Sequence, residues 1–169
     1  MPEEFSSPQD LIHNTPRKPA APLSPAHEPL VARIYATLDR YLTPRKLGRV
    51  WSGIDVMLDR REGLVLRPDI IFVVEGRESI VTDYVWGPPD MVLEVTSPLT
   101  HMGQLQERVA LFSVYGVREY WLVQPEQREV ALLELAHGGV RQRSLFDYHT
   151  AINTPLLADF NTPLSELLG

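Results

Sequence analysis

Cysteine is absent from this 169-residue chain. That excludes disulfides, zinc–thiolate sites and cysteine nucleophiles. Long apolar runs are absent too, and none approaches the ~20 residues needed to cross a bilayer. There is no basic excess: 16 Lys and Arg stand against 22 Asp and Glu, a net charge of −6. A passive nucleic-acid coat protein would be basic overall, so that class is set aside. A nuclease is not, because a local basic surface can accompany an acidic, metal-filled site. The histidines at 13, 27, 101, 137 and 149 show no His-x-His or His-Glu-x-x-His spacing, which leaves a zinc enzyme without a motif. No Gly-x-Ser-x-Gly elbow or P-loop occurs. A two-carboxylate glycosidase lacks a recognisable aromatic sugar platform. The opening MPEEFSSPQD is acidic and polar, unlike a secretory leader, so a cytoplasmic protein is expected.

What is present suits one soluble domain. Hydrophobic residues make up 44% and charged residues 22%, enough apolar chain for a sizeable core. Residues 1–26 stand apart. Pro recurs at 2, 8, 16, 19, 22 and 25 with no apolar periodicity between, so this stretch reads as a flexible arm. The folded domain is expected over 27–169. Leu30, Ile34, Leu38 and Leu42 then recur every four residues, with Val31 and Tyr35 widening the stripe. This predicts a helix that Pro29 opens and Thr43-Pro44 closes. Val50, Ser52, Ile54, Val56 and Leu58 alternate as one strand face, and residues 59–63 read as a turn into a second strand.

From residue 70 the pattern changes. Ile70 to Val74 and Met91 to Thr96 are continuous runs typical of strands covered on both faces. Leu105 to Tyr115 reads as a helix with a Gly116 cap. Tyr120 to Val123 is a third buried strand, so the intervening helix predicts a parallel crossover. Residues 129–135 and 141–146 read as a hairpin around Gly138-Gly139, and 162–168 as a short final helix. The class is α/β or α+β, a mixed central sheet flanked by helices.

Glu94 is the informative residue. A carboxylate inside a buried strand must be paired, protonated or metal-bound. Asp69, just after Pro68, begins the preceding apolar strand, and adjacent strands bring both carboxylates to one end of a sheet. Together they suggest oxygen ligands for a hard divalent ion such as Mg²⁺, with Mn²⁺ as its substitute. The competing readings are a salt bridge for Glu94 and a turn residue for Asp69.

Three segments then carry a resemblance: Arg67-Pro68-Asp69, Pro89-Asp90-Met91-Val92-Leu93-Glu94-Val95-Thr96-Ser97-Pro98-Leu99-Thr100, and Tyr115-Gly116-Val117-Arg118-Glu119-Tyr120-Trp121-Leu122-Val123-Gln124-Pro125. Their ordered set resembles the Uma-two family, bacterial proteins named as restriction endonucleases, within the PD-(D/E)XK nuclease superfamily. The resemblance runs from about His27 to the C-terminus. It implies a mixed sheet with flanking helices, Asp69 and Glu94 as metal ligands, and the Val95 main-chain carbonyl as a third. Glu28 matches the acidic residue that often joins such a site from the first helix; its other reading is a helix N-terminal charge. The chain also departs from the pattern. The superfamily lysine position falls on Thr96. The family's alternative lysine, with an aspartate one turn earlier, falls on Arg108 and Gln104. Gln124 stands where the family has aspartate. Arg108 can hold a phosphate or a water but cannot serve as a base, because its guanidinium stays protonated.

The resemblance thus implies a Mg²⁺-dependent endonuclease acting on DNA, weakened where Arg108 replaces lysine and with Gln104 orienting water or Arg108. The alternative is a catalytically inactive nuclease-fold module that binds nucleic acid or protein. A homodimer is expected, joined through the apolar C-terminal residues or the proline-rich arm. Arg45, Lys46, Arg49, Arg60, Arg61 and Arg67 are candidates for a basic surface.

Overall fold

A computed structural model describes residues 26–98 and 100–169. The expected arm therefore lies almost wholly outside the described residues. The first helix, α1, spans His27–Arg45. Its buried face is His27, Val31, Ile34, Leu38 and Leu42, the 3.6-residue stripe of an amphipathic helix. Pro29 sits in the first turn, where its missing N–H forfeits nothing. Pro44 lies inside the last turn rather than beyond it. Lys46, left-handed at φ 52°, ends the helix and bonds back to the Thr43 carbonyl.

The stretch expected as one strand over 50–58 is two. β1 spans Gly48–Ser52 and β2 spans Val56–Asp59. Gly53 takes φ 64° between them, and this turn sends the two strands into different sheets. Side-chain alternation continues through the turn, so it does not register in the pattern. β3 (Leu64–Leu66) and β5 (Val85–Trp86) flank β2 in a three-stranded sheet, antiparallel and parallel respectively.

β4 (Ile70–Val74), β6 (Met91–Val95), β7 (Glu119–Gln124), β8 (Glu129–Ala136) and β9 (Gly139–Asp147) join β1 in a six-stranded sheet ordered β1-β4-β6-β7-β8-β9. β6 and β7 are parallel, joined by α2 (Met102–Tyr115), the expected crossover. The other neighbours in this sheet are antiparallel. Gly116, at φ 103°, caps α2. β10 (Ala151–Ile152), β11 (Thr162–Pro163) and α3 (Leu164–Leu168) complete the described chain.

The mixed sheet separates two apolar layers. On one face α1 and the C-terminal segment pack against Ile70, Phe72, Leu93, Trp121 and Val123. On the other, α2 and the small sheet cover Ile71, Val92, Tyr120 and Leu122. Each fully buried aliphatic side chain contributes about 1.5–3 kcal/mol through lost contact with water. Leu157, Phe160, Leu164 and Leu167 are buried in the first layer, with Leu156 and Leu168 against it. These six residues therefore close the monomer core rather than present a dimer face. Ser113 anchors α2 to the β8–β9 hairpin, donating to the Ala136 carbonyl and accepting the Gly139 N–H at 3.2 Å.

Candidate active site

The register of β4 against β6 places the two expected carboxylates. Ile70 pairs with Leu93, so Asp69 and Glu94 stand one step further along, at the same end of the pair. Strand alternation puts Asp69 on the face of Ile71 and Glu94 on the face of Val92. Ile71 and Val92 share the layer beneath α2, so both carboxylates belong to that face. Asp69 Oδ2 accepts the Val95 N–H at 2.7 Å and ties the start of β4 to the end of β6.

Glu94 is buried at 8% exposure, and its charge is met by two side chains. Arg108 reaches down from α2. Its Nε donates to Oε1 at 2.9 Å and to Oε2 at 3.2 Å, and its Nη2 also donates to Oε1. The Tyr120 hydroxyl, from β7, donates to Oε2. Burial disfavours the guanidinium charge, but the Glu94 charge and hydrogen bonds outweigh it, so Arg108 is held above its ordinary pKa. Burial and then Glu94 push the Tyr120 hydroxyl well above its ordinary pKa, although Arg108 pulls the other way. Both groups stay protonated. Removing one partner of such a buried pair costs about 3–5 kcal/mol, because the other charge is stranded.

Asp69 has a different neighbour. His27, on the first turn of α1, is buried, and its Nε2 lies 3.4 Å from Asp69 Oδ2. Its Nδ1 lies 3.5 Å from Glu28 Oε1 yet is a buried atom without a hydrogen-bond partner. The hydrogen bond to Asp69 raises the imidazole pKa above 6.5 against the opposing effect of burial. Glu28 itself is 78% exposed in its side chain. It occupies the acidic first-turn position that favours a helix N-terminus, and among the described residues it meets His27 at 3.5 Å.

Sequence reasoning missed His27 and Tyr120. A signal existed for each. His27 extends the buried stripe of Val31, Ile34, Leu38 and Leu42 by one turn, so an imidazole sits where an apolar residue belongs. Tyr120 opens a fully apolar run, and a buried hydroxyl requires a partner. Neither signal says which carboxylate is met.

Arg108 is paired with Glu94. Gln104, one turn earlier, is exposed, and no hydrogen bond among the described residues ties it to Glu94 or Arg108. His101 is exposed immediately before α2. The candidate basic residues lie on several elements, and three of them have separate partners. Arg67 pairs with Asp55 at 2.7 Å, Arg45 lies over the Tyr41 ring at 4.1 Å, and Arg60 over Trp86 at 5.0 Å.

Two carboxylates and a main-chain carbonyl are hard oxygen donors of the kind Mg²⁺ or Mn²⁺ takes while keeping several waters. Among the described residues no three His, Asp or Glu side chains form a group that could hold a metal ion. The donor chemistry fits a divalent ion, with one condition. Both Glu94 oxygens already accept hydrogen bonds, so Glu94 would hold an ion only where Arg108 gave up part of that pairing.

Comparison with curated proteins gives no match. Among solved structures, a "putative nuclease belonging to DUF820" from Anabaena variabilis ATCC 29413 superposes with a TM-score of 0.74 at 14% identity, covering 86% of this chain and 81% of that one. At that identity the likeness is one of fold, and it agrees with the mixed sheet and flanking helices described above. The family profile described as "Putative restriction endonuclease", Uma2, matches residues 8–165, beginning inside the proline-rich segment. With the profile spanning residues 8–165 of the 169, the chain belongs to the Uma2 family.

Proposed function

We propose that this chain is a divalent-metal-dependent endonuclease that hydrolyses DNA phosphodiester bonds. One observation carries the reading beyond family membership. Two carboxylates, Asp69 and Glu94, stand on one face at the end of adjacent strands, with a half-buried guanidinium beside Glu94. Asp69, Glu94 and the Val95 carbonyl would hold Mg²⁺ or Mn²⁺. The ion, when bound, supplies a Lewis acid that lowers the pKa of water and offsets charge developing on phosphorus.

The rest of the work falls to the protein. His27 and the Val95 N–H hold Asp69, and the Tyr120 hydroxyl holds Glu94, so each carboxylate is oriented before substrate arrives. Arg108 provides a planar fork suited to two phosphate oxygens. In hydrolysis the water oxygen bonds to phosphorus, one P–O ester bond breaks, and the departing oxygen takes a proton. Arg108 cannot exchange that proton, so solvent carries it. The protein is proposed to act in the cytoplasm, as a homodimer when both strands are cut.

The test is a cleavage assay on supercoiled, linear and single-stranded DNA with Mg²⁺ or Mn²⁺. The wild type is expected to nick or linearise the supercoiled form. Asp69→Asn and Glu94→Gln should each lower the rate by at least about 10²-fold, the scale on which losing charge stabilisation at a reacting centre is felt. Equal rates in the variants would end the reading. A second reading, a non-catalytic binding module, is favoured by the Glu94–Arg108 pair itself, since that pair uses the oxygens an ion needs. It predicts DNA retention without cleavage under all these conditions.

A further inference from the structure

Of the two proposed ligands, only Glu94 is contested. Asp69 is held by the Val95 N–H and His27, whereas Glu94 has Arg108 on both oxygens and Tyr120 on one. Those two partners differ in how they are held. The Tyr120 ring is fully buried in a central strand, so its hydroxyl is a fixed donor and can stay. Arg108 reaches Glu94 from a helix on a flexible stem, with 13% of its side chain exposed. Rotation of that stem would free a Glu94 oxygen without calling on the backbone.

A guanidinium and a divalent cation repel each other, so on one carboxylate they would compete. The guanidinium fork also fits phosphate as well as carboxylate, in the same bidentate geometry. A phosphodiester arriving at the rim therefore offers Arg108 an alternative partner of the same shape.

We infer that Arg108 is a built-in competitor of the metal ion, seated on Glu94 at rest and drawn off by substrate phosphate. The inference rests on the metal-dependent reading above and deepens it. Metal and DNA then bind with positive coupling, and thermodynamic linkage makes the coupling reciprocal. DNA frees Glu94 for the ion, and the ion frees Arg108 for phosphate. Away from DNA the site stays closed to metal by its own side chain.

Mn²⁺ titration followed by water-proton relaxation tests this on the full chain. The proteins are wild type, Arg108→Ala, Arg108→Gln and the double variant Glu94→Gln/Arg108→Ala, each with and without a short DNA duplex. Without DNA, Arg108→Ala should bind Mn²⁺ more tightly than wild type by a factor within the usual coupling range of about 5–150. The double variant should lose that gain. DNA should tighten Mn²⁺ binding to wild type and change Arg108→Ala much less. Equal Mn²⁺ affinity in wild type and Arg108→Ala would overturn the inference while leaving the metal site standing, as would a wild-type affinity indifferent to DNA. No Mn²⁺ binding by a folded Arg108→Ala would remove the metal-dependent reading itself, and the competitor with it. If Arg108→Ala fails to fold, as judged by circular dichroism and thermal melting, Arg108→Gln carries the comparison, since its amide can still donate to Glu94.

Discussion

Glu94 and its partners show how a single buried charge organises its surroundings. The carboxylate lies in a strand whose neighbours are all apolar, where an unpaired charge would cost several kcal/mol. Arg108 and Tyr120 offset that cost from two different elements, one helical and one extended. Tyr120→Phe removes the hydroxyl and leaves the ring in place. It should lower stability by about 1.5–3 kcal/mol, the range for hydrogen bonds to charged groups. Urea unfolding of the variant against wild type measures this, and unchanged stability would mean that Arg108 satisfies Glu94 alone. The two carboxylates were legible in the sequence because they break local patterns. Glu94 interrupts a run of apolar residues, and Asp69 follows a proline at the head of one. His27 and Tyr120 were not, because their carbon frameworks obey the buried pattern and only their polar tips depart from it. Those tips find partners far along the chain, 42 residues away for His27 and 26 for Tyr120.

Among the elements, α2 links the site to the small sheet. Its last residue, Tyr115, donates to Asp59 Oδ2 at 3.1 Å, at the end of β2. Asp59 also accepts the Glu62 and Arg61 N–H groups at 3.2 and 2.9 Å. The Glu62 bond, with those of Arg61 and Tyr115, holds its carboxyl below the ordinary value of 3.8 against the opposing effect of burial. A group whose pKa is depressed on folding contributes stability above its unfolded pKa and loses it as pH falls through the folded one. Asp59→Asn should therefore melt below wild type at pH 7, and the gap should close as pH falls beneath about 4. A gap that persists unchanged at pH 3 would assign the effect to shape rather than charge. Element types were readable wherever periodicity was long and unbroken, as in α1, β4, β6 and the β6–α2–β7 crossover. The break between β1 and β2 was not. Gly53 turns the backbone while the alternation of Val50, Ser52, Ile54 and Val56 runs on in phase, so only partner strands reveal that two sheets begin there.

At the scale of the whole molecule, a net charge of −6 limits how the proposed DNA substrate could be held. Binding cannot rest on a diffuse positive field and must come from local contacts at the site, or from two sites gripping one duplex. The apolar C-terminal residues are spent inside the monomer, so an assembly would use other surfaces. Sedimentation at micromolar concentration is expected to give twice the 19.2 kDa chain mass, and a mass of one chain would leave double-strand cleavage to successive nicks. In the proposed mechanism, Asp69 and Glu94 share a divalent ion in the presence of substrate. Anomalous diffraction from crystals of the wild-type protein grown with a short DNA duplex and Mn²⁺ tests it most directly. The account predicts a manganese peak between the two carboxylates, with the Arg108 guanidinium moved from Glu94 to a phosphate. An intact Glu94–Arg108 pair with no peak beside Asp69, in crystals that contain the duplex, would contradict it.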